Sequence, residues 1–419
     1  MLSIYFARHL MVAGLVLLPW AAAHAAEPPL TLETAVRQGL ARAPQLEARA
    51  ADIAATREEA ARAGQLPDPT LTFGLSNYPV TSPGAFSLRS DEMTARTVGV
   101  MQAIPSRTAR RAERALASAR VDAAQADSVV AAQGVRERIA DAWIDVWAAE
   151  QQHALLLGLH DEAALAWRIA QARLRGGEGS AVDALAARAE MATLDNRIEA
   201  AEVDLAAAQA GLQRWLGTSP GALAATQDFS RLPVDADRLV STVDRQAPLQ
   251  AWAAREQVAQ AALEQARAAR HPDWSVSASY GRRAPGLSDM VMLEVGVSLP
   301  LFTRNRQDRG ISARQAQWDA VQADREDARR AQREVVTRAL AAWQGWGRQI
   351  ARYQQTLLPL ARDRAQTALA GYRGSGSLQP WLDARRAEIE LRLGYADALA
   401  ARARLWASLA YLLPSETTP

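Results

Sequence analysis

Few side chains in this 419-residue sequence could do covalent or metal chemistry. There is no cysteine, which removes disulfides, thiolate metal sites and thiol nucleophiles. Of five histidines, His9 and His24 fall in the first 25 residues and His271 adjoins Pro272. His153 and His160 stand seven apart, two turns along one helical face. That spacing is too long for one shared ion and no third ligand adjoins them, so both read as solvated helix positions. Met93, Met101, Met290 and Met292 flank or occupy short alternating segments. Thioethers could form a soft-metal path, but membrane-facing or hydrophobic packing accounts for them. No phosphate-cradling glycine loop, nucleophile elbow or His-pair zinc motif occurs. No catalytic residue, metal site or cofactor is therefore expected, and the chain does not read as an enzyme.

The more informative residues are two glycine-rich breaks: Leu174, Arg175, Gly176, Gly177, Glu178, Gly179 and Ser180, and Tyr372, Arg373, Gly374, Ser375, Gly376 and Ser377. A helix pair that turns back sharply needs left-handed backbone angles, which glycine adopts without steric cost. A turn explains the glycines, but not the return of the motif. Asp183 and Asp383 follow the two breaks, where an acidic side chain suits the positive end of a helix dipole.

The elements around the breaks also come twice. Ala43-Pro44-Gln45-Leu46 opens a helical run that ends at Leu66-Pro67-Asp68-Pro69; two β-like segments follow, then a long Ala/Arg/Glu-rich helix up to the first break. Ala247-Pro248-Leu249-Gln250, His271-Pro272-Asp273, two β-like segments and a second long helix repeat that order. Arg188-Ala189-Glu190 and Arg386-Ala387-Glu388 lie 198 positions apart. Such repetition fixes architecture before any other signal does. Six helices are predicted, over about 31–65, 106–174, 181–216, 235–270, 306–372 and 378–412. The two longest would each run about 100 Å, which implies coiled-coil or barrel packing. Val336, Leu340, Trp343, Gly347, Ile350, Gln354, Leu357 and Ala361 trace a 4/3 seam that favours a left-handed supercoil.

Composition sets the compartment. Arg8 and His9, the apolar run Leu10–Trp20 and Ala23-His24-Ala25 have the layout of a cleaved export signal. No later run of about 18 apolar residues could span a bilayer as a helix. The formal charge is +2, with mixed signs along the helices, which argues against nucleic-acid binding.

The β-like segments alternate. Leu71, Phe73 and Leu75 alternate with Thr70, Thr72, Gly74 and Ser76; Trp274, Val276, Ala278 and Tyr280 alternate with Ser275, Ser277, Ser279 and Gly281. Val291, Leu293, Val295, Val297 and Leu299 alternate with Met292, Glu294, Gly296 and Ser298, whereas the run 94–104 alternates less cleanly. Such lengths and dyad patterns suit transmembrane β-strands. Patterning alone equally allows two soluble hairpins capping a bundle; the export signal and the missing helical anchor favour the barrel. Four strands cannot close one, and open edges are not tolerated in lipid. Two copies would supply eight strands and three would supply twelve.

This layout resembles the TolC family of outer-membrane efflux channels over nearly the whole mature chain. The carriers are the duplicated unit, the strand entries Pro67-Asp68 and Pro272-Asp273, the strand exits Gln102-Ala103-Ile104-Pro105 and Leu299-Pro300, and the breaks Arg175-Gly176…Asp183 and Tyr372-Arg373-Gly374…Asp383. Asp91-Glu92-Met93-Thr94 is similar to the branch that holds CzcC- and CusC-type heavy-metal efflux channels. The resemblance implies a mainly α protein with a small membrane β-barrel. In it, a homotrimer builds one 12-stranded barrel in outer-membrane lipid and a periplasmic α-helical barrel below. The implied partners are a periplasmic adaptor (membrane fusion) protein and an inner-membrane RND-type pump.

The expected organisation is a signal peptide over 1–25 and a first repeat over 26–220 (strands about 70–78 and 94–104, hairpin about 106–216). A linker covers 221–234. The second repeat covers 235–414 (strands about 273–281 and 290–299, hairpin about 306–412), and a tail covers 415–419. The resemblance makes both breaks the adaptor-contacting tip, with contact roles for Leu174, Arg175, Glu178, Tyr372 and Arg373 and turn roles for the glycines. It makes Asp183, Asp383 and Arg373 gate candidates, although Pro380 stands where some relatives have an acidic residue. Many members of this branch carry a lipidated cysteine, so here the membrane hold is expected from the barrel alone. A periplasmic helical-hairpin adaptor or structural protein is the alternative.

Overall fold

The computed structural model describes residues 29–81, 83–224, 228–373 and 378–413, with Arg373 described by its backbone alone. The expected signal peptide over 1–25, the tail over 415–419 and Gly374, Ser375, Gly376 and Ser377 lie outside the described residues.

Proline decides where the shorter helices break. The helix expected over 31–65 is two, α1 (Leu32–Ala41) and α2 (Pro44–Arg62). Ala43 precedes a proline and is driven out of the α region, to φ −74° and ψ 109°. The helix expected over 235–270 divides likewise into α5 (Ala236–Ser241), a 3-10 turn at Val243–Arg245 and α6 (Ala247–Ala268), with Pro248 in the first turn of α6. Gln246, fully buried at that corner, donates to Leu239 O at 3.1 Å and accepts from Gln332 at 2.8 Å.

The first long hairpin is α3 (Arg107–Arg175) and α4 (Ala181–Leu216). Ser106 and Ser180 cap their starts by accepting from Ala109 N and Val182 N, each at 3.1 Å. The second is α7 (Gln307–Arg352), α8 (Leu358–Arg373) and α9 (Gln379–Ala410). The helix expected to run unbroken over 306–372 is instead interrupted by a π turn at Tyr353–Leu357. Pro359 lacks an N–H, and its ring would collide with the carbonyl four residues back. One extra residue in the turn, with Leu358 N–H reaching Tyr353 O, relieves that conflict. The turn docks on α9, where Gln354 donates to Tyr395 Oη at 2.7 Å and Tyr353 Oη would lie 2.9 Å from any Cβ added at Gly394.

Strands β1 (Thr70–Ser76), β2 (Ala95–Ile104), β3 (Trp274–Arg282) and β4 (Met290–Val297) form one antiparallel sheet in that order. The β2–β3 pairing joins the two repeats, leaving β1 and β4 as edges. Below the sheet the helices share a thin core around Ile139, Trp143, Ile144 and Leu212, all fully buried. Trp143 Nε1 donates to Leu30 O at 3.0 Å, Trp406 Nε1 to Arg231 O at 2.6 Å and Trp343 Nε1 to Phe229 O at 3.2 Å, so tryptophans bind both the segment before α1 and the linker to the bundle. Val336, Leu340, Ile350 and Ala361 of the 4/3 seam are buried. No helix among the described residues is long and apolar enough to cross a membrane.

Candidate functional site

The first break is a compact cap. Gly176 N and Gly177 N bond back to Ala172 O and Leu174 O, and Glu178 N reaches Arg173 O at 3.0 Å. Gly177 takes φ +75°, which only glycine adopts freely. At Gly179 an added Cβ would lie 2.9 Å from Leu174 N, so close approach of backbone selects glycine there. Leu174, Arg175, Gly176, Gly177, Glu178 and Ser180 are exposed at this end, and among the described residues Arg175 is bonded only to its own helix, at Gln171.

Tyr372, expected as a contact residue, is buried to 4% exposure among Ala170, Ala187, Leu378 and Leu382. Its ring lies under the Arg173 guanidinium, 4.4 Å from the centroid, and its carbonyl accepts from Arg173 Nη1 at 2.9 Å. Tyr372 therefore holds the two breaks together from within, because an aromatic face and a backbone carbonyl together satisfy one guanidinium. Arg173 is the residue that sequence reasoning missed; its neighbour Arg175 drew attention by lying in the motif.

Asp183 and Asp383 share no bond among the described residues. Asp183 lies in the first turn of α4 with no ion pair among the described residues. Asp383 is exposed on α9 and accepts from Gln379 at 2.9 Å. The Arg373 side chain lies outside the described residues.

Just above the tip, Glu388 is 1% exposed and sits between Arg385 at 2.7 Å and Arg392 at 2.5 Å. Arg385 also pairs with Glu162 of α3, so two arginines and two glutamates tie α3 to α9. Burial pulls the Arg385 pKa down, and Glu388 opposes that shift. This network borders a groove of about 340 Å³ walled by Leu165, Ile169, Leu369 and Trp381. The repeated Arg-Ala-Glu triplets meet too, since Arg386 donates to Glu190 at 2.8 Å. Val182 and Leu185, 71% and 66% exposed, were also missed, since they stand among alanines at the start of α4.

Register sorts the sheet into two faces. Leu71, Val100, Ala278 and Leu293 form one cross-strand row, and Phe73, Val98, Tyr280 and Val291 the next. The opposite face holds rows such as Thr70, Met101, Ser277 and Glu294, or Thr72, Gly99, Ser279 and Met292. Met101, Met290 and Met292 thus share the Ser/Thr/Gly face rather than the apolar one, because each falls in the polar phase of its strand. The apolar face is open to surroundings, with Phe73 76% and Leu293 77% exposed.

The histidines are not simply solvated. His153 and His160 face Glu202 and Asp195 of α4 at 3.7 and 3.1 Å, so their seven-residue spacing is matched across the antiparallel hairpin. Among the described residues, no group of three or more His, Cys, Asp or Glu side chains could hold a metal ion.

The model of a family described as outer membrane efflux protein matches residues 35–218 and again 240–414. The cobalt-zinc-cadmium resistance protein CzcC of Cupriavidus metallidurans is 27% identical over 277 residues, which span 63% of this chain and 64% of that protein. A crystal structure of a membrane protein from Pseudomonas aeruginosa superposes with a TM-score of 0.77 at 19% identity, covering 91% of this chain and 90% of that one. CusC superposes with a TM-score of 0.73 at 19% identity, covering 91% and 92%. The fold is that of TolC-like channels.

Proposed function

The chain belongs to the outer membrane efflux protein family, and we propose that it is the outer-membrane channel protomer of a tripartite efflux system. The carrying observation is the sheet: apolar on one face, small and polar on the other, with both edges unpaired. In lipid such edges must close, and three copies of four strands make a 12-stranded barrel with an aqueous interior. The helical hairpins continue the conduit through the periplasm. At the tip, Leu174, Arg175 and Glu178, with Val182 and Leu185, meet the helical hairpins of a periplasmic adaptor. Asp183, Asp383 and Arg373 are the proposed gate residues, whose contacts would form between copies in the closed state. The proposed solutes are heavy-metal cations, in keeping with the resistance named for the curated relative. An RND-type pump supplies the energy and no covalent step is assigned to the channel.

Cell fractionation with detergent extraction tests this, followed by heated and unheated gel migration and the mass of the complex. The expected result is an outer-membrane, detergent-requiring complex of three protomers. A soluble periplasmic monomer would overturn the channel and promote the helical-hairpin adaptor.

A further inference from the structure

Where β2 and β4 pass into helices, the sequence changes character. Residues 105–114 and 303–314 hold eight arginines against two acids, Glu113 and Asp308. Asp308 is already engaged by Arg270 at 2.6 Å. Arg107, Arg111, Arg304, Arg306 and Arg309 are exposed and make no ion pair or side-chain hydrogen bond among the described residues. Elsewhere the long helices use arginine differently: Arg255, Arg325, Arg329, Arg386 and Arg404 each reach a carboxylate on another element.

Directly above these arginines lies an apolar rim. Leu301 and Phe302 are 74% and 85% exposed, and Trp274 at the start of β3 is also exposed. Ser106 N donates to Asp273 at 2.7 Å, which keeps the α3 start against the β3 start and so holds the basic band next to the apolar one. The loops at the other end of the sheet mix the signs instead: Arg89, Arg96 and Arg282 are exposed there too, but beside Asp91, Glu92 and Asp289, and Arg283 is bonded to Ser288 O and Glu92 O, and Tyr280 to Asp289.

We propose that this collar binds anionic phospholipid headgroups of the periplasmic leaflet, with Leu301, Phe302 and Trp274 seated among the adjoining acyl chains. Guanidinium forks match phosphate oxygens in pairs, and clustered basic residues beside a bilayer are drawn to anionic lipid. Aromatic side chains at the headgroup level complete the anchor. The proposal rests on the outer-membrane reading above and adds to it a lipid preference and the residues that set it.

The test is native mass spectrometry of the whole complex in neutral detergent, titrated with cardiolipin or phosphatidylcholine. Wild type is expected to take up cardiolipin at least about tenfold better, with the preference falling as salt rises. The triple variant Arg304→Ala, Arg306→Ala, Arg309→Ala loses most of that preference, as does Arg107→Gln with Arg111→Gln, while Arg338→Ala keeps it. Equal uptake of both lipids by wild type overturns the proposal. So does an altered ion selectivity of the triple variant with cardiolipin uptake intact, which would turn the arginines to the lumen. Loss of the complex in both collar variants overturns it as well, by assigning the arginines to contacts between copies. A wild-type protein found soluble sinks the outer-membrane reading itself, whereas an inserted complex without lipid preference sinks only the collar.

Discussion

The sheet and the helical tip answer the same demand in opposite ways. At the tip a protomer meets its needs alone: Tyr372 and Glu388 are almost fully buried, and Arg173, Arg385 and Arg392 find partners within the chain. In the sheet nearly every side chain on β1 and β4 is exposed and both edges lack neighbours. Tip stability is therefore intrinsic, whereas sheet stability is conditional on lipid and further copies. One chain can be a folded helical hairpin before it is a channel.

The largest expected effect follows from that conditionality. Val295 lies on the apolar face, paired with Val276, and Ser277 lies on the opposite face, paired with Glu294. Arg at Val295 should cost about 2–4 kcal/mol in each copy at the bilayer midplane. Arg at Ser277 gains a carboxylate neighbour and should assemble. The yield of heat-modifiable outer-membrane complex measures both, and equal yields would mean the sheet does not divide lipid from lumen. Next comes Glu388→Ala, which removes the buried carboxylate between two guanidinium groups and leaves them Glu162 alone. A loss of about 2–4 kcal/mol is expected, below the fully buried case because Arg392 keeps some solvent. Thermal unfolding of the helical region in detergent should register it while the barrel still migrates as a complex. If barrel assembly fails first, the two regions are not independent.

How much was legible follows the same divide. The sheet's alternation is a local signal, so Val276 against Ser277 or Leu293 against Glu294 could be assigned to faces before any pairing was known. Met292 was legible in the polar phase of its strand, whereas the less regular run of β2 gave Met101 no face. Helix breaks at Pro44 and Pro248 carried a signal that a coarse helix reading passed over. The tip was legible as a turn only. Arg173 and Tyr372 stand 199 positions apart, and Glu162 and Arg385 lie on different repeats, so no spacing in the sequence announces them. Tyr372 was expected as a contact residue because the resemblance puts both breaks at the tip; within this chain it is buried.

A smaller effect sharpens the tip's self-sufficiency. Arg173→Ala removes a stacked cation and a hydrogen bond, worth about 1–2 kcal/mol together. Arg175→Ala, exposed and bonded only within its helix, should stay within about 0.5 kcal/mol. Limited proteolysis around 174–180 should accelerate in the first variant and not in the second. Matching rates would remove Arg173 from the clamp.

An effect of similar size, present only at high pH, lies between the two regions, at the middle of α3. Burial chiefly, then the neighbouring carboxylates of Glu137 and Asp145, push Asp141 up to about 6, with Arg404 pulling the other way. A carboxyl group whose folded pKa is raised stabilises the fold while protonated. That contribution is full below about pH 4 and is lost as pH rises through 6. Asp141→Asn stays neutral throughout, so it should match wild type near pH 4 and exceed it by about 1–2 kcal/mol at pH 8, after allowance for solvent access. Melting temperatures in detergent across that range check the sign. Identical pH profiles would mean that Asp141 reaches water in the assembled conduit, and the helical barrel would then depend on its copies as the sheet does.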